Sequence, residues 1–134
     1  MIRLLVPRSI ADAVVAHAKS TFPVECCGVL AGTLVDGVGT VATRHPVRND
    51  LGSPTAFSTN AKDLLAATRA IRAAGHVELA IYHSHPTSAP VPSARDVADN
   101  TWGEVVAHVI VSLADGRPAI RAWMLGATDI REVE

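Results

Sequence analysis

Leu79-Ala80-Ile81-Tyr82-His83-Ser84-His85-Pro86 is the stretch on which the reading of this chain turns. Its first four residues form a short apolar run of the kind that fills a buried strand. Side chains alternate along a strand, so His83 and His85 project to one side while Ser84 points to the other. Pro86 stops the strand at once, because a proline brings no ladder donor. Thr-Ser-Ala-Pro-Val-Pro follows as loop, and Ser93 opens a short helix. Asp96 lies one turn inside that helix, on the same face as Ser93. A single reversal of the chain therefore carries Ser93 and Asp96 back over the two histidines.

Two imidazoles and a carboxylate are three ligands for one divalent metal ion, with zinc bonds of roughly 2.0–2.1 Å to each imidazole. Three protein ligands leave a tetrahedral ion with an open corner, which points to hydrolysis rather than to a structural site. Each half of the pattern also has a plainer reading. His-x-His occurs on surfaces without metal, and Ser93-x-x-Asp96 is equally a helix start with a serine N-cap and an acid at N3. Their conjunction behind a buried strand favours the metal site. Such a site also needs a carboxylate that takes the proton of the attacking water and hands it to the leaving amine. Glu25 is the candidate, in Pro23-Val24-Glu25-Cys26-Cys27-Gly28-Val29-Leu30, after an amphipathic helix and at the mouth of an apolar strand. A merely solvated acid at that junction is the alternative.

Together these residues resemble the JAMM (MPN+, JAB) metalloprotease family. Its pattern is an upstream glutamate, then His-Ser/Thr-His-Pro, a serine after seven intervening residues, and an aspartate three further on. Here the pieces are Glu25, His83-Ser84-His85-Pro86, Ser93 and Asp96. The resemblance covers nearly the whole chain, including Glu25-x-Cys27-Gly28-x-Leu30 and the Asn49…Ser53-Pro54…Phe57 segment of small bacterial members. It implies that His83, His85 and Asp96 bind Zn2+, that Glu25 is the general acid/base, and that Ser93 donates its hydroxyl to the oxyanion. It also implies a three-layer α/β fold, a mixed β-sheet flanked by helices, related to the cytidine-deaminase-like architecture. The implied substrate is a ubiquitin-like or sulfur-carrier protein ending in Gly-Gly. The implied reaction is the Mec-type release of cysteine or another C-terminal extension, since the long insertions of eukaryotic deubiquitinating relatives are missing. An extended tail is expected to dock beside a sheet edge by strand addition. Phe57 would line that groove or serve as a core aromatic.

At 134 residues the chain is expected to form one domain, 1–134, with a core of Ala, Val, Ile and Leu, since aromatics make up only 4%. A net charge of −1 gives no support for nucleic-acid binding. Arg44, His45 and Arg48 would meet an acidic partner surface or form a solvated rim. Cys26 and Cys27 are adjacent and are the only cysteines, so they read as small buried residues rather than a disulfide. No signal-peptide pattern or membrane-length apolar run is visible, and a cytoplasmic protein without membrane contact is the default. A homodimer stays open.

Along the chain, Ile2–Val6 reads as a strand and Ser9 as the cap of a helix to about Lys19, with His17 on its flank. Residues 27–35 and 40–47 read as a hairpin around Asp36-Gly37-Val38-Gly39. Residues 55–58 suggest a brief strand. Asn60 caps a helix that Gly75 stops, with Asp63 at N3 and a stripe of Leu64, Leu65, Thr68 and Ile71. Residues 105–113 and 119–125 read as a second hairpin, and 130–133 as an edge strand. His45, His76 and His108 have no partner at ligand spacing and read as structural. A deaminase-like enzyme is opposed by the absence of a Pro-Cys-x-x-Cys half. A non-catalytic scaffold is opposed by the presence of all five functional positions.

Overall fold

The run at 79–82 occupies the middle of a sheet. The computed structural model describes residues 1–126 and 129–134. Its elements are β1 (Arg3–Leu5), α1 (Arg8–Thr21), β2 (Cys27–Val35), β3 (Val38–Val47), α2 (Ala61–Ala73), β4 (Val77–His85), α3 (Ala94–Ala98), β5 (Ala107–Ser112), β6 (Ala119–Leu125) and β7 (Ile130–Val133). The strands run in the order β1-β3-β2-β4-β5-β6-β7, with β1/β3 and β4/β5 parallel and the other pairs antiparallel. The Leu4 amide donates to the Glu134 carbonyl at 2.8 Å, so the sheet curls until its two outer ends approach.

Each face buries its own apolar set. Val14 and Ala18 of α1 pack with Leu30, Val41, Tyr82, Val109 and Val111 on one face. Ile71 of α2 packs with Val29, Ala31, Ile81 and Val106 on the other, where Phe57, Leu64 and Trp102 close over them. The result is a three-layer α/β arrangement, a mixed sheet between helices, as the resemblance implies.

Tyr82 is fully buried and lies over Gly28, its partner across β2 and β4. A Cβ at Gly28 would collide with the tyrosine ring. Gly28→Ala is therefore expected to lower unfolding stability by about 1–3 kcal/mol, as overpacking does. A urea melt measures it, and an unchanged midpoint would remove this account of Gly28.

Several boundaries differ from the sequence reading. Ser9 does not cap α1. Pro7 holds the N-cap without a side-chain bond, and its carbonyl accepts from Ile10 and Ala11 at 3.0 Å each. Helix α1 then runs to Thr21 and ends at Phe22, where the following Pro23 disfavours helical backbone. The first hairpin turns on Asp36 and Gly37 alone, both with positive φ (52° and 79°), so β3 already begins at Val38. Residues 55–58 form no strand. Only an isolated bridge joins Asn49 and Thr59, and the segment's backbone bonds instead to nearby loop groups: the Ala56 carbonyl and Ser58 amide to the Asn49 side chain, the Thr55 amide to Ser53 Oγ, the Ser58 carbonyl to the Asp50 amide. Leu65 is half exposed, since the helical period places Leu64, Ala67 and Ile71 on the buried face. Asn60 does cap α2, accepting from the Asp63 amide at 3.0 Å, and Gly75 adopts φ 72° beyond its end.

Candidate metal centre

Strand β4 is central, held by β2 on one side and β5 on the other, and its last residues are His83, Ser84 and His85. All three are buried. Alternation sends the two imidazoles towards the α2 side. Ser84, on the opposite face, accepts the Cys26 amide on its Oγ at 2.8 Å, and its own amide donates to the Cys26 carbonyl at 3.1 Å. The serine between the histidines thus anchors the chain one residue past Glu25.

Helix α3 supplies the third group. Ser93 caps it, with Oγ accepting the Asp96 amide at 3.0 Å, while Asp96 Oδ2 accepts the Ser93 amide at 2.9 Å. This reciprocal box locks the Asp96 carboxylate over the strand end. Asp96 Oδ2 then lies 3.2 Å from His83 Nε2 and 3.1 Å from His85 Nε2, and the two nitrogens are 3.1 Å apart. Ligand atoms bound tetrahedrally to zinc at about 2.0–2.1 Å stand about 3.3–3.4 Å from one another, so this triangle is already close to the required size.

The protonation pattern agrees. His85 Nδ1 lies 2.8 Å from the Ala89 carbonyl, which can only accept, so Nδ1 carries a proton and Nε2 turns towards the cluster. Burial lowers the His85 pKa, but Asp96 and the Ala89 carbonyl outweigh it and hold it above 6.5. Burial dominates at His83 and holds it below 6.5. Burial also pushes Asp96 up, yet the bonds from His83 and His85 keep it well below the usual carboxylate range. The centre of the cluster thus calls for positive charge. A proton on His85 supplies part of it, and a dication would serve all three donors at once. The residues fit a metal ion.

Glu25 lies just before β2, at 3% exposure, so the solvated alternative does not hold. Burial pushes its carboxyl up to about 7, with His85 opposing and Asp96 reinforcing the rise. Its Oε1 is buried without a hydrogen-bond partner, leaving an acceptor free for a water or a substrate proton. Ser93 is half-buried and uses its oxygen as the cap acceptor, which leaves its hydroxyl proton uncommitted.

Phe57 both lines a cavity and packs against the core. It stacks on His83 at 4.6 Å between ring centroids and 24° between planes. The cavity, about 520 Å³, is bounded by Leu51, Phe57, Arg95, Asp96, Trp102 and His108. It opens between the 51–59 and 95–102 segments, not at a sheet edge. Strand β4 is not itself an edge, since β2 lies on one side and β5 on the other. Glu25 borders a second depression of about 450 Å³ with Cys26, Val47 and Asn49.

The other singled-out residues stay apart from the cluster or are occupied elsewhere. His17 Nδ1 lies 2.7 Å from the Tyr82 hydroxyl, to which Arg44 also donates at 3.1 Å. His45 meets Thr43, and Arg48 pairs with Asp63 at 3.0 Å, so this basic trio is tied within the fold. Cys26 and Cys27 are buried free thiols, both raised in pKa by burial. Cys27 faces the same side as His83, its register partner, and donates to the Val47 carbonyl at 3.3 Å. Among the described residues, no helix is long and apolar enough to cross a membrane.

Comparison with known proteins meets this geometry. A profile of prokaryotic homologs of the JAB domain matches residues 7–126. The chain belongs to the prokaryotic JAB family. Within it, the chain is 34% identical over 126 residues to a protein named desampylase from Haloferax volcanii, covering 90% of this chain and 88% of the relative. It is 37% identical over 113 residues to the CysO-cysteine peptidase of Mycobacterium tuberculosis, covering 84% and 75%. A probable TtuB-protein conjugate cleaving protease of Thermus thermophilus is 36% identical over 124 residues, covering 91% and 76%. A solution structure of a Desulfitobacterium hafniense protein superposes with a TM-score of 0.89 at 30% identity, over all of this chain and 90% of that one. A JAB1/MPN domain protein from Archaeoglobus fulgidus, 18% identical, shares the fold at a TM-score of 0.56 over 100% and 93% of the two chains.

Three features of this JAB domain escape a reading of the sequence. Ser84 as an anchor was hidden because only the pairing of β2 with β4 brings Cys26 to it. Asn49 stood out only as part of the Asn49…Ser53-Pro54…Phe57 segment, with nothing to show that its side chain reaches Glu25. His108, read as structural, is buried, lines the cavity and leaves Nε2 without a partner; burial pulls its pKa down to about 4. The parallel pairing of β4 and β5, which puts His108 level with Ile81, was the missing information.

Proposed function

We propose that this JAB-family protein is a zinc-dependent peptidase. It cleaves the amide bond after the C-terminal Gly-Gly of a ubiquitin-like sulfur-carrier protein, releasing cysteine or another C-terminal extension. The observation that carries this reading is the convergence of His83, His85 and Asp96 to 3.1–3.2 Å beside a buried, proton-hungry Glu25. The names of the relatives from Mycobacterium tuberculosis and Thermus thermophilus support the substrate class. The buried free thiols of Cys26 and Cys27 suit a cytoplasmic setting.

His83, His85 and Asp96 hold the zinc. When bound there, the ion supplies Lewis-acid polarisation of the carbonyl and lowers the pKa of a water. Glu25 takes a proton from the attacking water on its free Oε1, and later delivers it to the departing amine nitrogen. Ser93 donates its uncommitted hydroxyl proton to the oxygen that gains charge as the carbonyl becomes tetrahedral. The cavity between Phe57 and Trp102, which Asp96 borders, receives the extended chain. Phe57, stacked on His83, keeps that ligand's ring from rotating.

The test is direct. Zinc-loaded protein is incubated with carriers extended beyond Gly-Gly, and the products are weighed. Loss of the mass of the extension is expected, and carriers recovered intact across the set would contradict the reading. Cleavage of a Lys-linked conjugate is the second reading, favoured by relatives named for conjugate cleavage and desampylation. The same mass measurement on an isopeptide-linked carrier separates the two. Ser93→Ala is expected to lower turnover by about 10²–10³-fold. It should also cost about 1 kcal/mol through the lost cap. A variant with the stability loss and full turnover would leave Ser93 a cap alone.

A further inference from the structure

Asn49, just beyond β3, commits its whole hydrogen-bonding capacity to the segments around the site. Its Nδ2 donates to the carbonyls of Glu25 at 3.1 Å and Ala56 at 3.0 Å. Its Oδ1 accepts from the amides of Leu51 at 3.1 Å and Ser58 at 3.0 Å. A carboxamide offers two donors and two acceptor lone pairs, so nothing is left over.

These bonds matter because Glu25 stands outside the sheet. The ladder between β2 and β4 begins at Cys27. The Glu25 amide donates instead to the Ser53 carbonyl at 2.9 Å, and its carbonyl receives Asn49. Both backbone polar groups of Glu25 therefore end on the segment from Asn49 to Ser53. That same loop continues to Phe57, which stacks on His83. The Glu25 side chain has no protein partner on Oε1 to fix it, so the backbone must.

We propose that Asn49 is a positioning residue. It ties the backbone of Glu25 to the loop that carries Phe57, and so sets the place of the Glu25 carboxylate relative to His83, His85 and Asp96. The proposal rests on the reading of Glu25 as the base. A side chain held within a fraction of an ångström of its working position matters because a displacement of about 1 Å can cost about 10²-fold in rate.

Asn49→Asp separates the two halves of the hub. It keeps acceptor oxygens for the Leu51 and Ser58 amides and loses both donors to Glu25 and Ala56. Expected are one zinc per chain as in the parent, KM within about twofold, and kcat lower by about 10²-fold. The decisive comparison is a double-mutant cycle. Added to Glu25→Gln, Asn49→Asp should cost nothing further, because its effect runs through the group already removed. A loss in the Glu25→Gln background as large as in the parent would overturn the proposal while leaving the base assignment standing. Full turnover by Glu25→Gln itself would remove the base assignment, and the proposal with it. Should Asn49→Asp not fold, Asn49→Ser, which makes room for water at the vacated bonds, carries the same cycle.

Discussion

Glu25→Gln is expected to keep its zinc and to lose cleavage by about 10²–10⁴-fold, the range that a positioned acid–base group contributes. The substitution is close to isosteric and spares His83, His85 and Asp96, so metal content separates the proton-transfer role from a collapse of the site. Retained turnover in a zinc-loaded Glu25→Gln protein would remove Glu25 from the chemistry. The parent's pH dependence follows from the same group. A base must be ionised, and in the metal-free protein burial raises the Glu25 pKa to about 7. A nearby dication moves that value down. Cleavage should therefore fall on the acid side, at or below about pH 7.

The raised pKa carries a stability cost of opposite sense. Between pH 4.5 and about 7 the folded protein holds a proton on Glu25 that the unfolded chain has released. Stability from this group therefore declines as pH rises through that window, and the full cost is present above it. With zinc chelated at pH 8, Glu25→Gln should melt a few degrees above the parent. A lower melting point would show that Glu25 makes stabilising contacts as a carboxylate.

Asp96→Asn is expected to abolish both zinc binding and cleavage. The variant removes the only formal negative charge among the three donors but retains an oxygen that can accept the Ser93 amide, so the helix cap survives. Metal analysis after purification should give one zinc per chain for the parent and close to none for the variant. A thermal scan gives an independent reading. Zinc at a hundred times its dissociation constant stabilises a folded protein by about 2.7 kcal/mol, and Asp96→Asn should show no such rise. Stoichiometric zinc in Asp96→Asn would show that the carboxylate is not a ligand. Acidification should release zinc from the parent as well, because His85 holds a proton above its ordinary pKa of 6.5 in the metal-free cluster and that proton competes with the ion.

What the chain spells out locally is what a reader of its sequence could recover. Strands β2, β6 and β7 have the bounds that apolar patterning and turn residues assign to them, and the Asn60 and Ser93 caps lie where the side-chain chemistry demands. The meeting of His83, His85 and Asp96 was legible because strand alternation and one helical turn decide where these three side chains point. The pieces that stayed hidden depend on pairings distant in sequence. Ser84 reaches Cys26 across 58 residues, and Asn49 reaches Glu25 across 24. His108 comes to the cavity only through the parallel crossover from β4 to β5. The supposed strand at 55–58 failed for a related reason. Its backbone bonds instead to the side chains of Asn49 and Ser53 and to the Asp50 amide, contacts that no propensity scale includes. That β4 is an inner strand was equally hidden, because position within the sheet is a property of the whole topology.

Anomalous diffraction at the zinc edge, from crystals grown with excess zinc, tests the account at its root. One peak is predicted, about 2.0–2.1 Å from His83 Nε2, His85 Nε2 and an Asp96 carboxylate oxygen, with its open coordination position towards Glu25. Density showing the three side chains turned apart with no peak between them would contradict it.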